Sequence, residues 1–276
     1  RIADRTSLFY DGQIRKVFER DEMTDRAIAP YIMEWQDQNQ LPDLDFEDGV
    51  LHFHHVHSGS LNGLQFVLHK GECLTLLDMD NRIADDILGL LTGGSACARG
   101  RITLEHELYT PKRAARYLDE GVAVIPKDPV EPLLFPHRTY MENLTFLLDR
   151  KLGRSLIPGR IYRSIRDEYA PLAGAAIDET NILNLSLEEQ MSLIYYRVQL
   201  LHPRVLICIQ PLARGDMLCR RKILSLIRES LRQGTAVLIT TTNVSDTLEI
   251  SDRLMVVEGG VCTAAYDKPE FDRIAR

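Results

Sequence analysis

The stretch Cys73–Gly93, "CLTLLDMDNRIADDILGLLTG", passes from an apolar run through a polar turn into a helical segment. Cys73–Leu77 is short and unbroken, as a strand buried on both faces requires, and "ILGLLTG" from Ile87 has the look of a helix closing at a glycine. A strand that enters a helix through a tight loop is a common phosphate cradle, because the first amides of the helix point at the ligand. Yet between Asp78 and Asp86 there is no glycine and no lysine, and there are four aspartates, Asp78, Asp80, Asp85 and Asp86.

Working outward, 276 residues suffice for one large domain or two smaller ones with a sizeable core. The net charge is -7 and the isoelectric point is near 5.7, with both signs interspersed along the chain. No basic stripe exists to neutralise a phosphate backbone, so nucleic acid is excluded as a direct partner. Cys73, Cys97, Cys208, Cys219 and Cys262 are scattered and never spaced as CxxC, which argues against a disulfide framework or a zinc site and for a reducing cytoplasm. No apolar run approaches the ~20 residues that span a bilayer, so direct membrane insertion is not expected. The start at "RIADRTSLFYDG", without an initiator Met or a charged-then-apolar leader, reads as a fragment or a processed piece.

An internal echo links the two ends. "IADRTSLFYDGQIRKVFERDEM" from Ile2 aligns without gaps to "ISDRLMVVEGGVCTAAYDKPEF" from Ile250, an offset of 248 residues, with Ile, Asp, Arg and a turn glycine (Gly12, Gly260) coinciding. Both copies read as β-hairpins, and an offset near a domain length suggests a tandem repeat. Residues 1–35 are then expected to be the tail of a preceding copy. "EWQDQNQLPDLDFEDG", residues 34–49, is polar, acidic and without period, and 36–49 reads as a linker. The main domain begins near Val50. Strands are expected at 50–57, 65–69, 73–77, near 101–104 and 122–125, then a mostly helical stretch from about 139 to 182. A helix at 187–201, a buried strand at 204–209 ("RVLICI"), a helix at 216–232, a buried strand at 236–240 ("AVLIT") and the terminal hairpin follow. Apolar strands alternating with helices predict an α/β fold whose parallel sheet is covered on both faces.

Four further stretches carry a family likeness: "GVAVIPKDPVEPLLFPHRTYMENL" from Gly121, "NLSLEEQ" from Asn184, "HPRVLICIQP" from His202 and "ISDRLMVVEGG" from Ile250. In order and spacing they resemble the ATP-binding cassette (ABC) ATPases, and among these the second half of the tandem simple-sugar importer ATPases of ribose, xylose and galactose type. The likeness runs from about Val50 to the C-terminus. It implies a P-loop NTPase fold with a mixed, largely parallel core sheet, an antiparallel β subdomain and a helical subdomain at about 139–200, all within residues 50–276. It also implies ATP and Mg²⁺ as ligands, and as partners a preceding cassette domain and a membrane permease or a regulatory protein, with membrane association through the permease.

Position by position, the chain departs from that pattern. The family's phosphate loop needs glycines for backbone amides to curl around phosphate, a lysine for charge and a hydroxyl for magnesium. Here Asp78, Asn81 and Ile83 fall on the glycine positions, Ala84 near the lysine and Asp85 on the hydroxyl; with Arg82, the residues Asn81, Ala84 and Asp85 are the degenerate cofactor-binding candidates. Where the family has a metal-holding Asp and a catalytic Glu stand Ile209, which has no oxygen, and Gln210, which cannot take a proton. In "NLSLEEQ", Leu187 and Glu188 replace the paired glycines, and Glu188 puts negative charge where phosphate would dock. Ser186 and Glu189 keep an S-x-x-E capping box. Thr242 stands where many cassettes have histidine, Lys127 replaces an acidic residue, and Asp128 and Asp216 remain.

In "LHFHHVH", Leu51–His57, His52 and His54 would share one strand face and His55 and His57 the other; a partly solvated edge strand is expected there and no metal. The residues together predict a pseudo-ATPase with no catalytic residue, no metal, no cofactor and an empty, acidic crevice at the loop. Because Glu188 would spoil a site shared with an active partner, they favour an interaction or regulatory module. The alternative is the non-hydrolysing half of a tandem sugar-importer subunit.

Overall fold

The computed structural model describes residues 5–10, 13–19, 49–153, 157–243 and 247–271. Strand β5 (Cys73–Asp78) is buried along its whole length. Hence it lies inside a sheet: β10 (Ala236–Thr241) and β11 (Arg253–Glu258) flank it, both parallel to it, with Val237 opposite Cys73 and Arg253 opposite Leu74. With β8 (Val122–Ile125), β9 (Val205–Ile209) and β12 (Val261–Asp267) the order is β12-β11-β5-β10-β9-β8, antiparallel only at β11–β12.

The period of two sorts this sheet's side chains into two cores. Val205, Ile207 and Ile209 join Leu74, Leu76 and Leu238 on one face, packed with helix α1 (Ala84–Thr92) and with a second, antiparallel sheet. Leu206 and Cys208 point the other way, with Cys73, Val237 and Ile239, into a core shared with the helices that precede and follow β9, α7 (Leu187–Leu201) and α8 (Met217–Arg232). Both faces are therefore covered, as the continuous apolar strands predict.

The second sheet has the order β4-β3-β6-β7, formed by β3 (Gly49–Ser58), β4 (Leu61–His69), β6 (Arg99–Leu104) and β7 (Glu107–Leu108). Its inner face stacks Phe53 on Phe66 with ring centroids 4.5 Å apart. The expected edge strand is corrected here: β3 is an inner strand, and the pairing slips between Phe53 and Val56. His55 takes a positive φ of 45° at that bulge, so the two-by-two histidine alternation breaks, with His52 buried and His55 exposed. Strand β4 begins at Leu61, four residues before the expected start.

Between β6 and β8 lies the short helix α2 (Pro111–Ala114), and after β8 come α3 (Val130–Leu133), α4 (Tyr140–Thr145), α5 (Leu148–Leu152) and α6 (Gly159–Ala173). Single 3₁₀ turns cover 174–178 and 182–184, so the expected helical stretch from 139 to 182 is present in pieces. Asn143, fully buried, holds the turn before it: its side chain accepts from Phe135 N and donates to the carbonyls of Phe135 and Thr139.

At the N-terminus, β1 (Arg5–Tyr10) pairs with β2 (Gln13–Glu19) as an antiparallel hairpin. Its register is the terminal hairpin's, pair for pair at the 248-residue offset: Arg5 faces Glu19 as Arg253 faces Asp267, and Tyr10 faces Gln13 as Glu258 faces Val261. Even the irregularity recurs, between Leu8 and Phe9 and between Val256 and Val257. The expected linker at 36–49 lies, except for Gly49, outside the described residues.

Candidate nucleotide site

The loop leaves β5 at its C-terminal end and enters α1, the end of a parallel sheet where ligands are usually held. Asp78, the last residue of the strand, is buried, and its Oδ2 accepts hydrogen bonds from Arg82 N (2.6 Å) and Ile83 N (2.8 Å). These are the last loop amides before α1, Ile83 being its N-cap, in the stretch where a phosphate loop would receive its ligand. The anion held by this loop is thus its own carboxylate, placed favourably at the positive end of the helix dipole.

The positive φ that a phosphate loop assigns to glycine falls here on Asn81, at 54°, a residue type that tolerates it. Ile83 stays at φ -89° as the N-cap of α1, avoiding the conformation a β-branched residue cannot take. Ala84 is buried and presents no cation, while Arg82, Asp80 and Asp85 are exposed. Asp86 turns away from the loop to accept from Ser60 N at 2.7 Å, fastening α1 to the β3–β4 turn.

Opposite, Ile209 is buried in the core shared with the antiparallel sheet and offers nothing to a metal. Gln210 follows it with a positive φ of 45° and donates from Nε2 to Asn81 Oδ1 at 2.5 Å. Where an empty acidic crevice is expected, a hydrogen bond thus joins the loop to the end of β9. The loop is bridged to the end of β9, and its innermost aspartate is already hydrogen-bonded, so these residues do not fit ATP with Mg²⁺. Among the described residues no group of three or more His, Cys, Asp or Glu converges on a metal position.

The start of α7 is capped as expected. Ser186 Oγ accepts from Glu189 N, and Glu189 Oε2 accepts from Ser186 N at 2.8 Å. Gln190 Nε2 reaches back to the carbonyls of Ile182 and Leu185 at 3.0 and 3.2 Å, holding the turn in place. Glu188 is half-buried, and its charge adds to burial in pushing the Cys219 thiol up. Asp216 caps α8 by accepting from Cys219 N at 2.9 Å, and Asp128 pairs with Arg214. Lys127 and Thr242 are exposed. Leu183, Leu187, Met217 and Leu218 are 63%, 40%, 67% and 65% exposed around these two helix starts, an apolar apron that α7 and α8 leave uncovered.

Sequence reasoning missed the two contacts that close the loop. An Asp at a strand end that folds back on amides four and five residues later is a local contact that the short spacing allows. The Gln210–Asn81 contact spans 129 residues and has no local signature.

No family model matches the chain. It is 22% identical to the ribose import ATP-binding protein RbsA of a Jannaschia species over 278 residues, covering 98% of this chain and 54% of that protein. It is 24% identical to the xylose import ATP-binding protein XylG of Photobacterium profundum, covering 94% of this chain and 54% of the relative. The chain thus spans about half the length of the curated relatives it matches. Among solved structures, cbiO1 of Clostridium perfringens, part of an ABC transporter complex, superposes with a TM-score of 0.69 at 18% identity, covering 82% of this chain and 91% of that one. The ADP conformation of another ABC transporter cassette gives 0.68 at 17% identity, covering 82% and 94%. The fold is that of the ABC ATPase cassettes, and the relatives by sequence are the ATP-binding proteins of sugar import.

Proposed function

We propose that this chain is the non-hydrolysing cassette of a tandem ATP-binding subunit of a sugar-type ABC importer, working in the cytoplasm beside a permease and a preceding cassette. The observation that carries the non-hydrolysing part is the Asp78 carboxylate seated on the Arg82 and Ile83 amides. A nucleotide phosphate would have to displace it, and would meet its charge at about 4 Å, costing ~4 kcal/mol per charge pair at the effective dielectric of a protein surface. The tandem part is supported by the hairpin register repeated at 248 residues and by relatives about twice as long. Residues 1–35 are then the end of the first cassette, 36–49 the linker and 50–276 the second. The apolar apron on α7 and α8 supports pairing with another folded domain.

Titration with a fluorescent ATP analogue in the presence of Mg²⁺ tests the reading: no saturable binding at the loop and no phosphate release are expected. Micromolar binding that is abolished by Asn81→Trp in the loop would overturn it. The negative charge of Glu188 in the first turn of α7, where a phosphate of a shared site would dock, favours a second reading, an interaction or regulatory module. The residues upstream decide between the two. An intact GxxGxGK[ST] and a "DEP" strand end there support the importer, and a degenerate first half supports regulation.

A further inference from the structure

At the end of the parallel sheet opposite the loop lies a concave feature. It is a cleft of about 490 Å³, lined by the segment before β8, by α5 and by the end of α7. Gly121 precedes β8 and Leu201 ends the helix before β9, so the cleft lies at the N-terminal ends of these strands. The loop and Gln210 lie at the C-terminal ends, roughly 15 Å away along a five-residue strand. The two places are independent.

The chemistry of the cleft is cationic in a chain whose net charge is negative. Arg116, Arg150 and Lys151 face one carboxylate, Asp119. That carboxylate is shared: Arg116 Nε donates to Oδ2 at 3.1 Å, while Arg150 Nη1 stands 3.7 Å from Oδ1, beyond a hydrogen bond. Each guanidinium has five N–H donors, so most remain available. Lys151 Nζ spends one donor on Leu200 O at 3.0 Å, and burial lowers its affinity for its proton. Leu118, Leu147 and Leu201 are half-buried and supply apolar lining below the charges. The volume is within the range of small-molecule sites.

We propose that this cleft binds a small phosphorylated molecule, its dianionic phosphate held by Arg116, Arg150 and Lys151 and its organic body against the leucines. A bound phosphate joins α5 to the segment before β8, a connection that Arg150 and Asp119 make only at 3.7 Å.

Calorimetric titration with glucose 6-phosphate, with glucose as the uncharged control, tests this. Saturable binding of the phosphate and none of glucose is expected. The variant Arg116→Gln/Arg150→Gln should weaken it by at least about tenfold, the worth of one lost charge-assisted hydrogen bond. Both arginines are more than half exposed, so the thermal midpoint should stay unchanged; Lys151→Gln gives the same readout should the double variant fail to fold. No binding, or binding unaltered in these variants, overturns the proposal. Binding to phosphatidylcholine vesicles doped with phosphatidic acid, without binding of glucose 6-phosphate, would assign the site to a lipid headgroup and also overturn it. ATP binding lost in Arg116→Gln/Arg150→Gln belongs to this cleft, whereas ATP binding that survives belongs to the loop, so the two proposals fail separately.

Discussion

Asp78 shows how one side chain sets the chemistry of the loop. A glycine there would leave the Arg82 and Ile83 amides open to an external anion; the aspartate supplies the anion internally, buried and with two donors. Asp78→Asn keeps the shape but removes the charge, and is expected to cost about 1–2 kcal/mol of stability in urea unfolding, with Asp78→Ala costing more. Gln210 and Asn81 add a second closure whose coupling a double-mutant cycle should place near ~1 kcal/mol. The residue types themselves, Asp78, Asn81, Ile83 and Ala84 in the loop and Ile209 and Gln210 at the end of β9, could be read position by position from the sequence. That the loop would close on itself could not, because Gln210 meets Asn81 only after the β10 strand aligns β9 with β5.

At the scale of the element, local signals translated well where they were local. Ser186 and Glu189 are three residues apart and cap α7 in the way their spacing requires. Ser186→Ala should cost about 1 kcal/mol, measured as a lowered urea midpoint with an unchanged slope. The strands β5, β9 and β10 were readable because a strand buried on both faces is apolar at every position. Strand β3 departs from the expected alternation because a bulge costs one residue of register, and nothing in "LHFHHVH" marks His55 as the residue that takes the positive φ.

At the scale of the molecule, the two sheets and the terminal hairpin are tied by Glu72 and Arg253. Arg253 donates to Glu72 and to Val67 O, Glu72 also accepts from His69 N at 2.7 Å, and the two charged side chains are 11% and 16% exposed. Burial alone raises the Glu72 carboxyl, but the Arg253 hydrogen bond and charge, with His69, bring it below the ordinary value. Its contribution is therefore fully present above the unfolded-state pKa, near ~4.3, and is lost as pH falls through the lower folded value. Glu72→Gln should lose about 3 kcal/mol at neutral pH, because Arg253 is left without its anion, and should show a flatter acid limb. Urea unfolding of both proteins from neutral pH into the acid range checks it. Gly260, at φ 80°, completes the tie: a Cβ there would collide with Ser60 O, so only glycine lets the terminal hairpin touch the β3–β4 turn. The order of elements, the cassette likeness, the repeated hairpin and the residue types in the loop and at the end of β9 were all determined by the sequence itself, since each depends on residue type and local spacing. Which group the loop amides hold, how the loop is joined to β9 and where a cationic cleft opens were decided only by tertiary structure. Those depend on side chains far apart in the chain that the parallel sheet brings within hydrogen-bond reach.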